Sequence, residues 1–209
     1  MKVVLIKYNA GNTQSVKFAL NRIGIEPLLT DSIEEIQSAD KVILPGVGEA
    51  SSAMVYLKEK GLDVVIKNLK QPILGICLGM QLMCKYSEEG KTDCLGIFNS
   101  TVKRFSSPFE GGRRSRGDVG DVPYAKVPQI GWNNIYNLKG YLFKNISDKE
   151  FQYFVHGYYV ESGENTIATT NYLTEYSSAL QKDNFYGVQF HPEKSAKAGE
   201  QLLKNFVGL

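Results

Sequence analysis

In the first half of the chain, short unbroken apolar runs alternate with stretches whose apolar side chains return every three to four positions. Val3-Val4-Leu5-Ile6 predicts a buried strand over 2–6. Gly11-Asn12-Thr13 then leads into a helix whose Val16, Ala19, Leu20 and Ile23 share one face, closed by Gly24. A second strand is predicted over 41–44, stopped by Pro45-Gly46-Val47-Gly48, and helices over about 51–60 and 62–69 follow. Residues 72–76 predict a third strand, and 78–86 a helix directly after it. Strand and helix in alternation predict a parallel sheet with helices on both faces.

Beyond about residue 101 the pattern shortens. Strands are predicted over 101–104, 151–155, 166–170, 178–181 and 186–190, several at hairpin-like separations, so antiparallel strands are expected to extend the sheet. A helix over about 196–207 ends the chain. Residues 110–121, with Gly111-Gly112-Arg113-Arg114-Ser115-Arg116-Gly117-Asp118, have the composition of a solvated loop. With no internal repeat and no linker, the expected architecture is one α/β domain over 1–209. Its central, mostly parallel sheet is flanked by helices and carries added antiparallel strands in the C-terminal half.

Composition narrows the function classes. With 209 residues, 43% of them hydrophobic, the chain can bury one sizeable core, which excludes a disordered reading. Twenty-four Lys and Arg against 22 Asp and Glu leave a formal charge of +2, which gives no electrostatic reason to expect nucleic acid or acidic lipid as a partner. Cys77, Cys84 and Cys94 are an odd set and make no disulfide framework. The N-terminal apolar run is too short for a signal peptide, and no stretch approaches the roughly 20 apolar residues that span a bilayer. The expectation is a cytoplasmic protein without a membrane partner.

The chemistry concentrates at Leu74-Gly75-Ile76-Cys77-Leu78-Gly79-Met80-Gln81. An apolar strand runs into Cys77, a helix starts at once, and Gly lies two residues to either side. A nucleophile on a strand-to-helix turn needs such small neighbours so that its side chain stands clear of the backbone. The first turn of a helix also favours a thiolate. Cys84 and Cys94 lack these neighbours and read as small hydrophobes. A thiolate needs a base, and the chain has two histidines. His191 ends a predicted strand and precedes Pro192-Glu193, so Glu193 falls at i+2 on the same side and can fix the imidazole tautomer. His156 has no carboxylate at such spacing and reads as structural. Pro45-Gly46-Val47-Gly48 follows a strand at the edge where α/β sites lie, and its glycines let backbone N–H groups approach a substrate.

Taken together, these motifs resemble the class I, or triad, glutamine amidotransferases. Gly75-Ile76-Cys77-Leu78-Gly79-Met80-Gln81 and Gln189-Phe190-His191-Pro192-Glu193 match that class in order and separation. Within it, Tyr8-Asn9-Ala10-Gly11-Asn12, Pro45-Gly46-Val47-Gly48, Val127-Pro128-Gln129-Ile130-Gly131-Trp132-Asn133 and His191-Pro192-Glu193-Lys194-Ser195 resemble the glutaminase subunit of imidazole glycerol phosphate synthase. The resemblance spans essentially the whole chain, with 110–126 longer than usual.

The resemblance implies a Cys77–His191–Glu193 triad that hydrolyses glutamine to glutamate and ammonia through a thioester. It implies an oxyanion site at the N–H groups of Leu78 and Val47. Glutamine would be held by Gln81 and Glu89, with the backbone of Gly46, Gly48, Gly157 and Tyr158 completing the pocket. It implies no metal and no cofactor. The partner it implies is a (β/α)₈ cyclase subunit that uses the ammonia in histidine biosynthesis, with Trp132, in a Gly131-Trp132-Asn133 turn, and Lys194 at the interface. This chain has Gly157 where the family usually has Ser or Thr, Gln129-Ile130 for His-Met, and Glu49-Ala50 for Ala-Phe. Two further readings stay open on the sequence: a paralogous subunit for surface-sugar modification, and an interaction module without turnover, against which the intact triad argues. A free-standing cysteine peptidase fits less well.

Overall fold

The computed structural model describes residues 1–8, 13–46, 48–106 and 126–209. In chain order its strands are β1 (Val3–Ile6), β2 (Leu28–Thr30), β3 (Lys41–Leu44), β4 (Ile73–Ile76), β5 (Cys84–Ser87), β6 (Thr92–Asp93), β7 (Phe98–Arg104), β8 (Gln129–Asn134), β9 (Phe151–His156), β10 (Tyr158–Val160), β11 (Thr166–Asn171), β12 (Glu175–Lys182) and β13 (Phe185–Val188). The helices are α1 (Thr13–Arg22), α2 (Ile33–Gln37), α3 (Ala50–Glu59), α4 (Leu62–Asn68), α5 (Leu78–Met83) and α6 (Ala196–Val207).

Every residue of β1, β3, β4 and β13 is buried, as strands covered on both faces must be. They pair in parallel, with β2 on the outside, in the order β2-β1-β3-β4-β13. The strand alternation divides the core into two halves. Val4, Ile6, Val42, Leu44 and Ile73 meet α2, α3, α4 and α5 on one face. Val3, Leu5, Ile43, Leu74 and Ile76 meet α1 and α6 on the other. Beyond β13 the expected antiparallel extension is present: β12 pairs with β13 and β11, β10 with β12, and β7 with β10.

Four expectations need correction. The helix after Cys77 stops at Met83, and Cys84–Ser87 is a strand paired parallel to β7 and antiparallel to β6. All six residues of α5 are buried, so no polar face marks where helical spacing ends. The apolar pattern did not predict β2 or α2; β2 is a three-residue edge strand with Leu28 and Leu29 exposed, too short to leave a pattern. Residues 151–156 do not extend the main sheet but form a separate two-stranded sheet with β8. Trp132 therefore lies in a strand opposite Tyr153 rather than in a turn. Residues 110–121 and the Asn9–Asn12 part of the N-terminal motif lie outside the described residues.

Candidate functional site

The register of two parallel strands brings the catalytic candidates together. β13 runs beside β4 with Val188 opposite Ile76, so Cys77 and Gln189 are the next residues out of the sheet on each. The Cys77 N–H donates to the Val188 carbonyl at 2.7 Å. Cys77 then takes φ 52°, ψ −110°, the left-handed region that a non-glycine residue enters only when its surroundings hold it there. That turn starts α5 and lifts the thiol off the sheet end.

The glycines around the turn have packing reasons. A Cβ on Gly79 would lie 1.9 Å from the Leu44 carbonyl oxygen, and one on Gly75 would lie 2.7 Å from the Gly79 backbone. A Cβ on Gly46 would sit 2.3 Å from the Gly79 nitrogen, so this loop runs directly over the start of α5. The buried Tyr8 hydroxyl braces the loop by donating to the Pro45 carbonyl. Burial raises the Tyr8 pKa, and the nearby Cys77 charge adds to the rise.

His191 follows β13 in extended geometry, and Pro192–Lys194 forms a single 3-10 turn. Its Nδ1 lies 2.8 Å from Glu193 Oε1, both side chains almost wholly enclosed. The pairing at i+2 is as expected, although a turn rather than a strand delivers it. Burial alone would lower the His191 pKa, but hydrogen bonds to Cys77 and Glu193 outweigh it and raise the pKa. With Nδ1 committed to Glu193, Nε2 is left to serve Cys77.

A cavity of about 290 Å³ opens beside the thiol, lined by Gly48, Leu78, Gln81, Glu89, Gly157 and Tyr158 together with Cys77, His191 and Lys194. Nearly all the expected pocket residues thus share one cavity; Gly46 packs behind it instead, and Glu193 stands behind His191. Val47 lies outside the described residues. Glu89 accepts from the Ala50 N–H at 2.9 Å, and burial raises its pKa. Gln81 Nε2 donates to the Tyr158 carbonyl at 3.1 Å.

His156 lines the same cavity, but both of its ring nitrogens are engaged within the fold. Its Nδ1 lies 2.7 Å from the Tyr158 carbonyl and its Nε2 3.2 Å from the Tyr176 hydroxyl, among Phe105, Phe154 and Tyr176. Burial lowers its pKa to about 4, the hydrogen bond to Tyr158 opposing the shift. Three contributors went unassigned in the sequence: Pro128 and Val155, which line the cavity, and Gln189, which touches the thiol. Gln189 belongs to a motif already singled out, but its role needed the register of β13 against β4.

The model of the family described as glutamine amidotransferase class-I matches residues 4–208. The chain belongs to this family. A Bacteroides fragilis (strain YCH46) protein named imidazole glycerol phosphate synthase subunit HisH is 55% identical to this amidotransferase over 209 residues, 100% of both chains. A Pasteurella multocida protein of the same name is 44% identical over 206 residues, 98% of this chain and 96% of that protein. Among solved structures, one glutamine amidotransferase gives a TM-score of 0.70 at 18% identity, covering 98% of this chain and 97% of that one. A glutamine amidotransferase from Thermotoga maritima gives 0.63 at 17%, covering 100% and 83%. At such identities these two report the fold, a single α/β domain with a central sheet flanked by helices.

Proposed function

We propose that this chain, one amidotransferase domain over 1–209, is the glutaminase subunit of an imidazole glycerol phosphate synthase in histidine biosynthesis. Its partner is a (β/α)₈ cyclase subunit, and its compartment is the cytoplasm; among the described residues no helix is long and apolar enough to cross a membrane. One observation carries the catalytic reading: a thiol on a left-handed strand-to-helix turn that shares one cavity with a histidine held from behind by Glu193.

In that reading the Cys77 thiolate attacks the side-chain amide carbon of glutamine. The oxyanion is met by the Leu78 N–H and, in the family pattern, by that of Val47. Imidazolium His191 gives its Nε2 proton to the departing nitrogen, and ammonia leaves a glutamyl thioester. His191 then takes a proton from water, whose oxygen attacks the thioester carbon; glutamate leaves and the thiolate returns. Glu193 keeps the Nδ1–H in place and stabilises the imidazolium. Gln81 and Glu89 hold the amino-acid end of glutamine beside the backbone of Gly48, Gly157 and Tyr158. Ammonia passes to the cyclase, where it yields imidazole glycerol phosphate and aminoimidazole carboxamide ribotide.

The test is reconstitution with the cyclase and its nucleotide substrate. Glutamine should support product in step with glutamate. His191→Ala should lower that rate by several orders of magnitude while ammonia still supports synthesis, and His156→Ala should act mainly through stability or glutamine binding. Product from ammonia but none from glutamine with the unmutated chain would refute the assignment.

A further inference from the structure

Gln189 is wholly buried and lies between two residues of the site. Its Oε1 accepts from Gln81 Nε2 at 2.9 Å, and its Nε2 donates to Cys77 Sγ at 3.6 Å. The direction of this chain of hydrogen bonds is set at its far end. Gln81 Nε2 also donates to the Tyr158 carbonyl, which can only accept. Gln81 is thereby fixed with its NH₂ toward both Tyr158 and Gln189, so Gln189 must turn its oxygen to Gln81 and its NH₂ to the sulfur. A flipped amide would face N–H against N–H at one end.

We infer that Gln189 is a positioning residue for the Cys77 nucleophile: its amide donates to the sulfur and holds it as thiolate, aimed at the cavity. This rests on the reading of Cys77 as nucleophile. An N–H donor favours a charged acceptor over a neutral thiol, so the contact strengthens as the proton leaves. The thiol form has its own partner in the Val155 carbonyl, 3.7 Å from Sγ, which accepts only from S–H. Two contacts therefore discriminate the two protonation states, and Gln189 serves the reactive one. The same amide ties the thiolate to Gln81, whose Oε1 is the end of that side chain left for a ligand in the cavity.

The test reads the thiolate directly. The rate at which iodoacetamide alkylates Cys77 is followed against pH by mass spectrometry of the Cys77 peptide, in the full chain without glutamine. Burial raises the pKa of both Cys94 and Cys84, and following the Cys77 peptide by itself keeps those two thiols out of the reading. Gln189→Glu keeps an oxygen for Gln81 and turns a second one toward the sulfur; Gln189→Met removes both contacts at similar volume. The alkylation midpoint should rise by at least one pH unit in Gln189→Glu and measurably in Gln189→Met, with glutamine turnover reduced at least tenfold. If Gln189→Glu does not fold, Gln189→Met decides. A midpoint unchanged from the parent chain, even with reduced turnover, would overturn the inference. Since alkylation needs no glutamine, failure of the glutaminase reading appears separately, as absent turnover in the parent chain.

Discussion

His156 and His191 carry the same ring with opposite consequences, because burial acts on both and only His191 has anionic partners. His156 is neutral when folded, with a pKa lowered to about 4 against about 6.5 in an unfolded chain. Between those values the unfolded state binds more protons, so stability is complete above about pH 6.5 and falls as the pH drops toward 4. The expected loss is about 3 kcal/mol across that window. Denaturant melts at pH 7 and 4.5 should show it in the parent chain and show much less of it in His156→Gln. The raised pKa of His191 acts elsewhere, its contribution being complete below about pH 6.5 and lost as pH rises through its folded value. Gly157 offers a second residue-scale test. A Cβ there would meet only Pro128 Cβ, at 3.9 Å. Gly157→Ser should therefore fold normally and lower the glutamine KM if its hydroxyl reaches the substrate carboxylate, an added bond worth about 1.5–3 kcal/mol at most. An unchanged KM would show that backbone donors already hold the carboxylate.

The turn at Cys77 is set by elements, not by one residue. Gly79 lets the first turn of α5 lie on the Leu44 carbonyl, and a Cβ on Gly187 would lie 2.4 Å from Met80 Cγ on the other flank. Gly79→Ala should cost about 3 kcal/mol or more, since the added carbon meets backbone that cannot rotate away. A urea midpoint unchanged from the parent would contradict this packing. The sequence made this part legible because buried parallel strands read as apolar runs and close approach demands glycine. It concealed the end of α5, where an all-buried helix passes into a strand without a polar signal. Likewise β8 was hidden because Gly131 and Asn133 read as turn residues, while its pairing with β9 is a contact distant in sequence.

At the scale of the molecule, β8 and β9 present an outward apolar face beside the cavity. Ile130 is 64% exposed and Trp132 52%, with Tyr153 opposite Trp132 and its ring 5.8 Å away. Val155, opposite Ile130, touches the Cys77 thiol through its carbonyl. Lys194 borders the cavity and sets its Nζ 5.9 Å from the centre of the Tyr153 ring. Under the proposed function, an apolar face this close to the cavity suits a seal against the enzyme that takes up the ammonia. Trp132→Ala should weaken association with the cyclase by about 2 kcal/mol or more and raise the ratio of glutamate to product, with ammonia-dependent synthesis unchanged. The same ratio and affinity as the parent would place the interface elsewhere.

In the proposed function, Cys77 supplies the sulfur of a covalent glutamyl intermediate. Its most direct measurement is rapid quenching of the cyclase-bound chain during glutamine turnover, with the acyl group located by mass spectrometry and Cys77→Ser run in parallel. A glutamyl adduct is expected on the Cys77 peptide of the parent chain, with neither adduct nor glutamate formation in Cys77→Ser, its fold intact. Sustained glutamate formation by Cys77→Ser, or an adduct on another residue, would contradict this role for Cys77.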